Sequence, residues 1–350
     1  QYISQTYEKK FFASLSKLNI KLPDIIIRVS EVIPQIISYV QQIIDNGFAY
    51  TTTDGSVYFD TDKYIKAGYT YDKLDESEVE SEISENILFH KKNKKDFALL
   101  KARTPNEVGF NVEFTYQNQD IKTRIVPGWH IECSTMIHET IGSDLDIHFG
   151  GIDLEFPHHY NERAQAHAYY HPKFKPDNCE TNEQWTKEFK HIGHLNIEGL
   201  KMSKSLKNFT KIDDALYDIN ANQLRWMFIL HKWQKPMDYN EDNVLAAKKF
   251  DSLLKNFLNR ISNYPFENGN VKYSPKEFEL LNQYYKLRHN ILNNYKLFKL
   301  DKASKLLFDL IHHVNTYLDI ELPNESLVQK IQDWIFNLIH DLGFIYGEKY

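Results

Sequence analysis

The feature that most constrains this chain is a change of periodicity near residue 241. Before it, short apolar runs alternate with helical patterns; after it, every apolar stripe has helical spacing. Val244, Leu245, Phe250, Leu253, Leu254, Phe257 and Leu258 mark one helix, and Phe278, Leu281, Tyr285, Leu287, Ile291 and Leu292 a second. Two more stripes follow, at Leu306, Leu307, Leu310, Ile311 and Val314, then at Val328, Ile331, Trp334, Ile335 and Ile339. Pro265, Gly269, Pro275 and Pro323 punctuate them, so the C-terminal third reads as a separate α-bundle.

Upstream, Ile33, Ile36, Ile37, Val40, Ile43 and Ile44 predict a helix over 31–46 that stops at Gly47, and Val57-Tyr58-Phe59 predicts a strand. Acids dominate 75–85 and bases 90–95 without apolar period, which reads as a solvated insertion. Over 124–200, Arg124-Ile125-Val126 and Leu145–Phe149 alternate with helical patterns at 129–141 and 157–170. That is the rhythm of a parallel α/β sheet, whose function belongs at the C-terminal strand ends. The fold class is therefore α/β followed by an all-α bundle.

At 350 residues the chain has room for two or three domains, and no apolar run approaches the ~20 residues of a membrane span. Its start, Gln1-Tyr2-Ile3-Ser4-Gln5, has neither an initiator Met nor a signal-peptide pattern, so a natural N-terminus is not expected there. Cys133 and Cys179 are too few and too far apart for a disulfide framework, which predicts a reducing, cytoplasmic setting. With 42 basic against 48 acidic residues, net charge −6, no global positive field attracts nucleic acid, and any such contact must be local.

Chemistry concentrates in two places. Lys201-Met202-Ser203-Lys204-Ser205 forms a donor-rich loop suited to triphosphate oxygens, although a bare lysine-serine loop is also an ordinary solvated turn. Cys133, His158 and Glu162 suit a metal: His158 and Glu162 are i and i+4 after Pro157 and project from one helix face. From residue type alone, a core cysteine and a structural helix-start histidine remain open.

The lysine pentapeptide resembles the second signature of class I aminoacyl-tRNA synthetases. His191-Ile192-Gly193-His194 matches the first signature to the letter. Its position seven residues before Lys201, in a predicted strand over 189–197, marks it as a decoy, because the working version opens the fold before a helix. Gly128-Trp129-His130-Ile131-Glu132-Cys133-Ser134 and Asp146–Glu162 together strongly resemble the cysteinyl-tRNA synthetase family. Arg28-Val29-Ser30, Gly55–Asp60 and Asp96-Phe97-Ala98-Leu99 extend the likeness over most of the chain, with eukaryotic rather than bacterial character. Phe149, Tyr160 and Leu100 depart from the family pattern, where Gly, an acid and Trp are usual.

The resemblance implies a partial Rossmann-type class I catalytic domain, lacking its N-terminal segment and first signature. Residues 1–115 would be its connective and insertion segment, 116–200 its second half with the zinc site, 201–240 the lysine loop and stem-contact region, and 241–350 an anticodon-binding bundle. It implies one Zn2+ on Cys133, His158 and Glu162, with a further family cysteine upstream and Cys179 incidental. Trp129 and His148 would line the cysteine pocket, Asp153 would pair with the substrate ammonium, and Lys201 and Lys204 would serve catalysis, Lys204 also binding ATP. The implied substrates are ATP with Mg2+, L-cysteine and tRNA(Cys), and homo-oligomer formation stays open. Lys207, Lys211, Lys232, Lys235, Lys248, Lys249, Lys255 and Arg260, interleaved with Trp226 and Trp233, are the local basic surface available to tRNA, although for most of them a solvated helix face around core tryptophans is the more ordinary reading. Two alternatives remain: a ligase joining cysteine to an amino sugar, and a non-catalytic tRNA- or zinc-binding remnant.

Overall fold

The computed structural model describes residues 2–71, 91–171, 185–203, 205–266, 272–320 and 322–347. The acidic block at 75–85, His90, Cys179 and Lys204 lie outside the described residues. The chain forms two compact units, one of Pro23–His191 and one of Gln1–Leu22 with Ile192–Tyr350.

In the first unit, helix α2 (Ile33–Asp45) follows the expected stripe, burying Ile33, Ile36, Tyr39, Val40, Ile43 and Ile44. Gly47 ends it in the left-handed conformation, φ 85°. Strands β1 (Ala49–Thr51) and β2 (Val57–Phe59), the short helix α3 (Thr61–Lys66), and strands β3 (Ala98–Ala102), β4 (Phe110–Tyr116) and β5 (Gln119–Pro127) follow. The five strands form one sheet in the order β1-β2-β3-β5-β4, and every pair is antiparallel. This corrects the parallel reading of Arg124-Ile125-Val126. The cause is local: Gln117 and Asn118 both have positive φ, 50° and 61°, and close a two-residue hairpin between Tyr116 and Gln119. One sheet face and α2 enclose a core that includes Ile36, Val40, Ile43, Val57, Phe59, Leu99, Leu100 and Ile125.

Helix α4 (Trp129–Thr140), strand β6 (Leu145–Gly151), a 3₁₀ turn at Ile152–Leu154, a π-helical turn at Glu155–His159, helix α5 (Tyr160–Tyr169) and strand β7 (Thr186–Ile192) complete this unit. The predicted helix at 157–170 thus begins later, at Tyr160, because Phe156 is extended at φ −136°, ψ 136°. β6 and β7 pair with each other. Gly128 sets where α4 starts: a Cβ there would stand 2.0 Å from the Ala98 carbonyl oxygen, so only glycine lets the chain turn from β5 into α4 against β3.

The second unit opens with helix α1 (Tyr2–Lys17), which the sequence reading did not anticipate. None of its residues is buried, although Ile3, Tyr7, Phe11 and Leu15 recur at helical spacing; Ser14 and Lys17 hold Asp213 at 3.2 and 2.6 Å. Strands β8 (Leu195–Ile197) and β9 (Leu200–Lys201), helices α6 (Ile212–Asp218) and α7 (Ala221–Ile229), and strand β10 (Met237–Tyr239) precede four helices: α8 (Glu241–Ser262), α9 (Pro275–Lys296), α10 (Leu300–Tyr317) and α11 (Glu325–Asp341). β8 pairs parallel to β10 and antiparallel to β9. The bundle is as predicted, but its stripes are narrower than expected: Leu245, Leu253, Phe278 and Tyr285 face out, while Leu254, Phe257, Leu280, Tyr284 and Ile291 are buried. No described helix is long and apolar enough to cross a membrane.

Candidate metal and amino-acid site

α4, β6 and the turn into α5 converge on one carboxylate. Glu162, in the first turn of α5, is fully buried (0% exposed). Its Oε1 lies 2.8 Å from His158 Nε2. The orientation makes no hydrogen bond, however, and leaves a buried carboxylate oxygen without a donor. Oε2 and His148 Nε2, from β6, are 2.9 Å apart and hydrogen-bonded. Burial pushes the Glu162 carboxyl up, but the contacts with His148 and His158 outweigh it and hold the group below the usual carboxylate range.

Cys133 comes from the second turn of α4. Its sulfur, a His158 nitrogen and a Glu162 oxygen all lie within 4.8 Å of one another. Burial first, then the charges of Glu162 and Glu132, push the Cys133 thiol up to about 12. Thiol, imidazole and carboxylate are a zinc-type donor set. The orphaned Oε1 and the disfavoured thiolate are what a cation would relieve, so these residues fit the metal that the motif implies. The i, i+4 proximity of His158 and Glu162 survives although the π-helical turn, not α5, carries His158.

The surrounding imidazoles are the part that sequence reading missed. His158 Nδ1 meets His130 Nδ1 at 2.9 Å, and His159 Nδ1 meets His191 Nε2 at 2.8 Å. Burial, then neighbouring His158, pushes His130 down to about 3; burial, then His148, pushes His159 down to about 4. Both rings are neutral at pH 7 and act as hydrogen-bonding supports. The available signal was the placement of His130 three residues before Cys133 and of His159 beside His158. A buried 2.6 Å hydrogen bond between Ser134 and Gln165 ties α4 to α5 behind them.

Of the residues assigned to the amino-acid pocket, Trp129 and His148 are at the cluster. The Trp129 ring centroid is 4.5 Å from that of His158, and the side chain is 48% exposed, which leaves a face for a ligand. Asp153 is exposed in the 3₁₀ turn after β6.

Lys201 belongs to the other unit, on β9, and is exposed. Asn208, which the sequence reading gave no role, folds the loop back on itself. Its Nδ2 donates to the Lys201 and Leu200 carbonyls at 3.2 and 3.4 Å, and its Oδ1 accepts from Ser203 N at 2.9 Å. The literal His191-Ile192-Gly193-His194 ends β7 and precedes β8, so the single predicted strand is two, and no helix starts there. Gly193 has a packing reason instead: a Cβ would sit 2.2 Å from the Lys235 carbonyl oxygen.

Among the basic positions offered to tRNA, Lys255 is bonded to buried Asp251 at 2.7 Å and Arg260 to Asn315 and Asp319, so both are engaged within the bundle. Trp226 and Trp233 donate to Tyr346 Oη and the Phe298 carbonyl, and Trp226 is core. Lys207, Lys211, Lys232, Lys235 and Lys249 are exposed.

Residues 1–249 match the family of class I tRNA synthetase (C) catalytic domains. A cysteine–tRNA ligase of Acanthamoeba polyphaga mimivirus is 48% identical over 98% of this chain and 69% of its own length. The cytoplasmic cysteine–tRNA ligase of Xenopus laevis is 34% identical over 98% of this chain, which spans only 46% of it. A methionyl-tRNA synthetase of Mycobacterium tuberculosis, solved with methionyl-adenylate, shares the fold at TM-score 0.59 with 12% identity, over 95% of this chain and 75% of its own. The motifs, the fold and the relatives agree, and the chain belongs to the cysteinyl-tRNA synthetase family of class I aminoacyl-tRNA synthetases.

Proposed function

We propose that this chain carries the part of a cysteine–tRNA ligase that selects L-cysteine, joins it to AMP from ATP·Mg2+ and passes the cysteinyl group to tRNA(Cys). The observation that carries the reading is the convergence of Cys133, His158 and Glu162 on one position beside Trp129, in a chain of this family. Zinc bound there would supply a soft Lewis acid that prefers a thiol to a hydroxyl, a discrimination hydrogen bonding alone makes poorly. Glu162, kept ionised, and His158, backed by His130, would hold it. His148 keeps Glu162 turned toward the cluster through its 2.9 Å bond.

Trp129 walls the pocket and Asp153 takes the substrate ammonium. A carboxylate oxygen of cysteine attacks the α-phosphorus, and pyrophosphate leaves. Lys204, helped by Lys201, neutralises the charge that grows on the phosphate oxygens, and Asn208 gives the loop its shape. The 2′ or 3′ hydroxyl of the terminal adenosine then attacks the cysteinyl carbonyl and AMP departs. The four-helix bundle, with exposed Lys249 on α8, supports a tRNA substrate over an amino sugar.

The test is cysteine-dependent pyrophosphate exchange and tRNA charging by the whole protein and its variants. Lys204→Ala is expected to lower kcat for exchange by roughly 10²–10³, about 2.7–4 kcal/mol, with cysteine affinity little changed. His194→Ala should have a far smaller effect. Cys133→Ser should reduce bound zinc and exchange together, while Cys179→Ser changes neither. Lys249→Ala should raise KM for tRNA and flatten its salt dependence without touching exchange. Tight tRNA binding without any exchange would instead favour the non-catalytic reading.

A further inference from the structure

The lysine loop springs from a hairpin that its own strands hold weakly. β8 and β9 run only three and two residues, and Glu198-Gly199 joins them in a two-residue turn with both φ positive, 49° and 80°. Such a turn leaves its second central amide without a partner in the ladder, and Gly199 is exposed. β10 supplies the partner: Asp238 Oδ1 accepts from Gly199 N at 3.0 Å. Asp238 is in turn held from the head of α8. Its Oδ2 accepts from Asn240 Nδ2 at 3.2 Å, and its carbonyl accepts from Asn243 Nδ2 at 2.7 Å. Asn240 also caps α8, its Oδ1 accepting from Asn243 N at 2.9 Å. One carboxylate therefore joins the first bundle helix to the turn that feeds β9.

We propose that Asp238 is a positioning residue for adenylate formation, anchoring the Glu198-Gly199 turn so that Lys201 and the loop after it stay aimed at the phosphate oxygens. The inference rests on the role given to the lysine loop in the proposed function. Lys201 lies two residues beyond Gly199, about 7 Å along an extended strand, so a turn free to pivot carries the lysine with it. A displacement of about 1 Å at a group that acts in the transition state costs roughly 100-fold in rate, which is why the hold matters more for chemistry than for stability. A carboxylate suits the task better than an amide, because it accepts from Gly199 and Asn240 at once and its charge strengthens both bonds. The far limb of the loop has its own anchor in Asn208, so the two residues hold the loop from opposite ends.

The experiment is Asp238→Ala and Asp238→Asn in the whole protein, the first also combined with Lys204→Ala. The readings are cysteine-dependent pyrophosphate exchange and single-turnover transfer from preformed cysteinyl-adenylate to tRNA(Cys). Asp238→Ala is expected to lower kcat for exchange by roughly 10–100-fold, with KM for cysteine and the transfer rate unchanged, and those unchanged readings report that the variant is folded. Asp238→Asn keeps an acceptor for Gly199 and loses the Asn240 bond, so it should recover most of the rate. In the Lys204→Ala background Asp238→Ala should add little, because the group it positions is already gone. Lys17→Ala removes an exposed pair with Asp213 beyond the loop and should leave exchange unchanged. An unchanged kcat in Asp238→Ala overturns the proposal, as does its full effect in the Lys204→Ala background. Equal falls in exchange and transfer also overturn it, since they would make the carboxylate a general support of the fold. If Lys204→Ala itself leaves exchange intact, the lysine-loop reading fails and this proposal with it; a slow Lys204→Ala beside a normal Asp238→Ala overturns this proposal alone.

Discussion

The two units of this chain bury different chemistry. In Pro23–His191, four histidines, Glu162, Asn161 and Gln165 are buried around α4 and α5. In the helical unit the core is apolar, and its buried acids are saturated. Asp251 accepts from Tyr346, Lys255 and Gln223, and Glu277 from Ser274 and Tyr317. Glu162 differs in keeping one oxygen without a donor. A buried polar network that is complete serves the fold; one left a cation short serves a ligand, since an uncompensated buried charge is costly.

The largest effect that tests this contrast is in the apolar core. Leu307, at 0% exposure in α10, should cost about 2–5 kcal/mol when changed to Ala, measured by urea unfolding at a helical signal. Metal bound at Cys133 should be retained in native conditions, and joint loss would break the comparison.

The second effect is acid sensitivity of the metal-free chain. His130 and His159 have folded values of about 3 and 4, below the ~6.5 of an unfolded histidine. The unfolded chain therefore binds more protons below pH ~6.5, and stability is full above that pH and falls as pH drops toward 4. The helical unit lacks a buried histidine among its described residues. Its buried Glu277 is pushed up by burial but held low overall by Ser274 and Tyr317, so its contribution is lost only below the ordinary carboxylate range. Tyrosine and tryptophan fluorescence or NMR should see Pro23–His191 loosen first on acidification, and His130→Asn should make that loss shallower. Simultaneous loss in both units above pH 5 would count against the contrast.

A smaller effect sharpens the account of the bundle. Asn324 caps α11, its Oδ1 accepting from Leu327 N at 3.0 Å, and Asn324→Ala should cost about 1 kcal/mol in thermal unfolding with metal stoichiometry unchanged.

Legibility followed the range of the interactions. α2 and the four bundle helices were readable because their stripes are a property of consecutive residues. The hairpin at Gln117-Asn118 was not, since neither residue is the glycine that usually marks such a turn. Helix α1 went unread although Ile3, Tyr7, Phe11 and Leu15 recur every four residues, and Leu253 and Tyr285 mark their helices yet face out, because apolar character alone does not say which side of a helix faces in.

At the site the division is sharper. Residue type and the i, i+4 spacing of His158 and Glu162 already determined which donors this protein offers and that these two share a side, because that proximity is set within one turn of backbone. Only the tertiary structure brought Cys133 into reach and set His130 behind His158. Only it turned the literal signature histidine, His191, into a support for His159. Those distances depend on how α4, β6, β7 and α5 pack, and packing is a sum of many contacts between residues far apart in the chain, which no local pattern records.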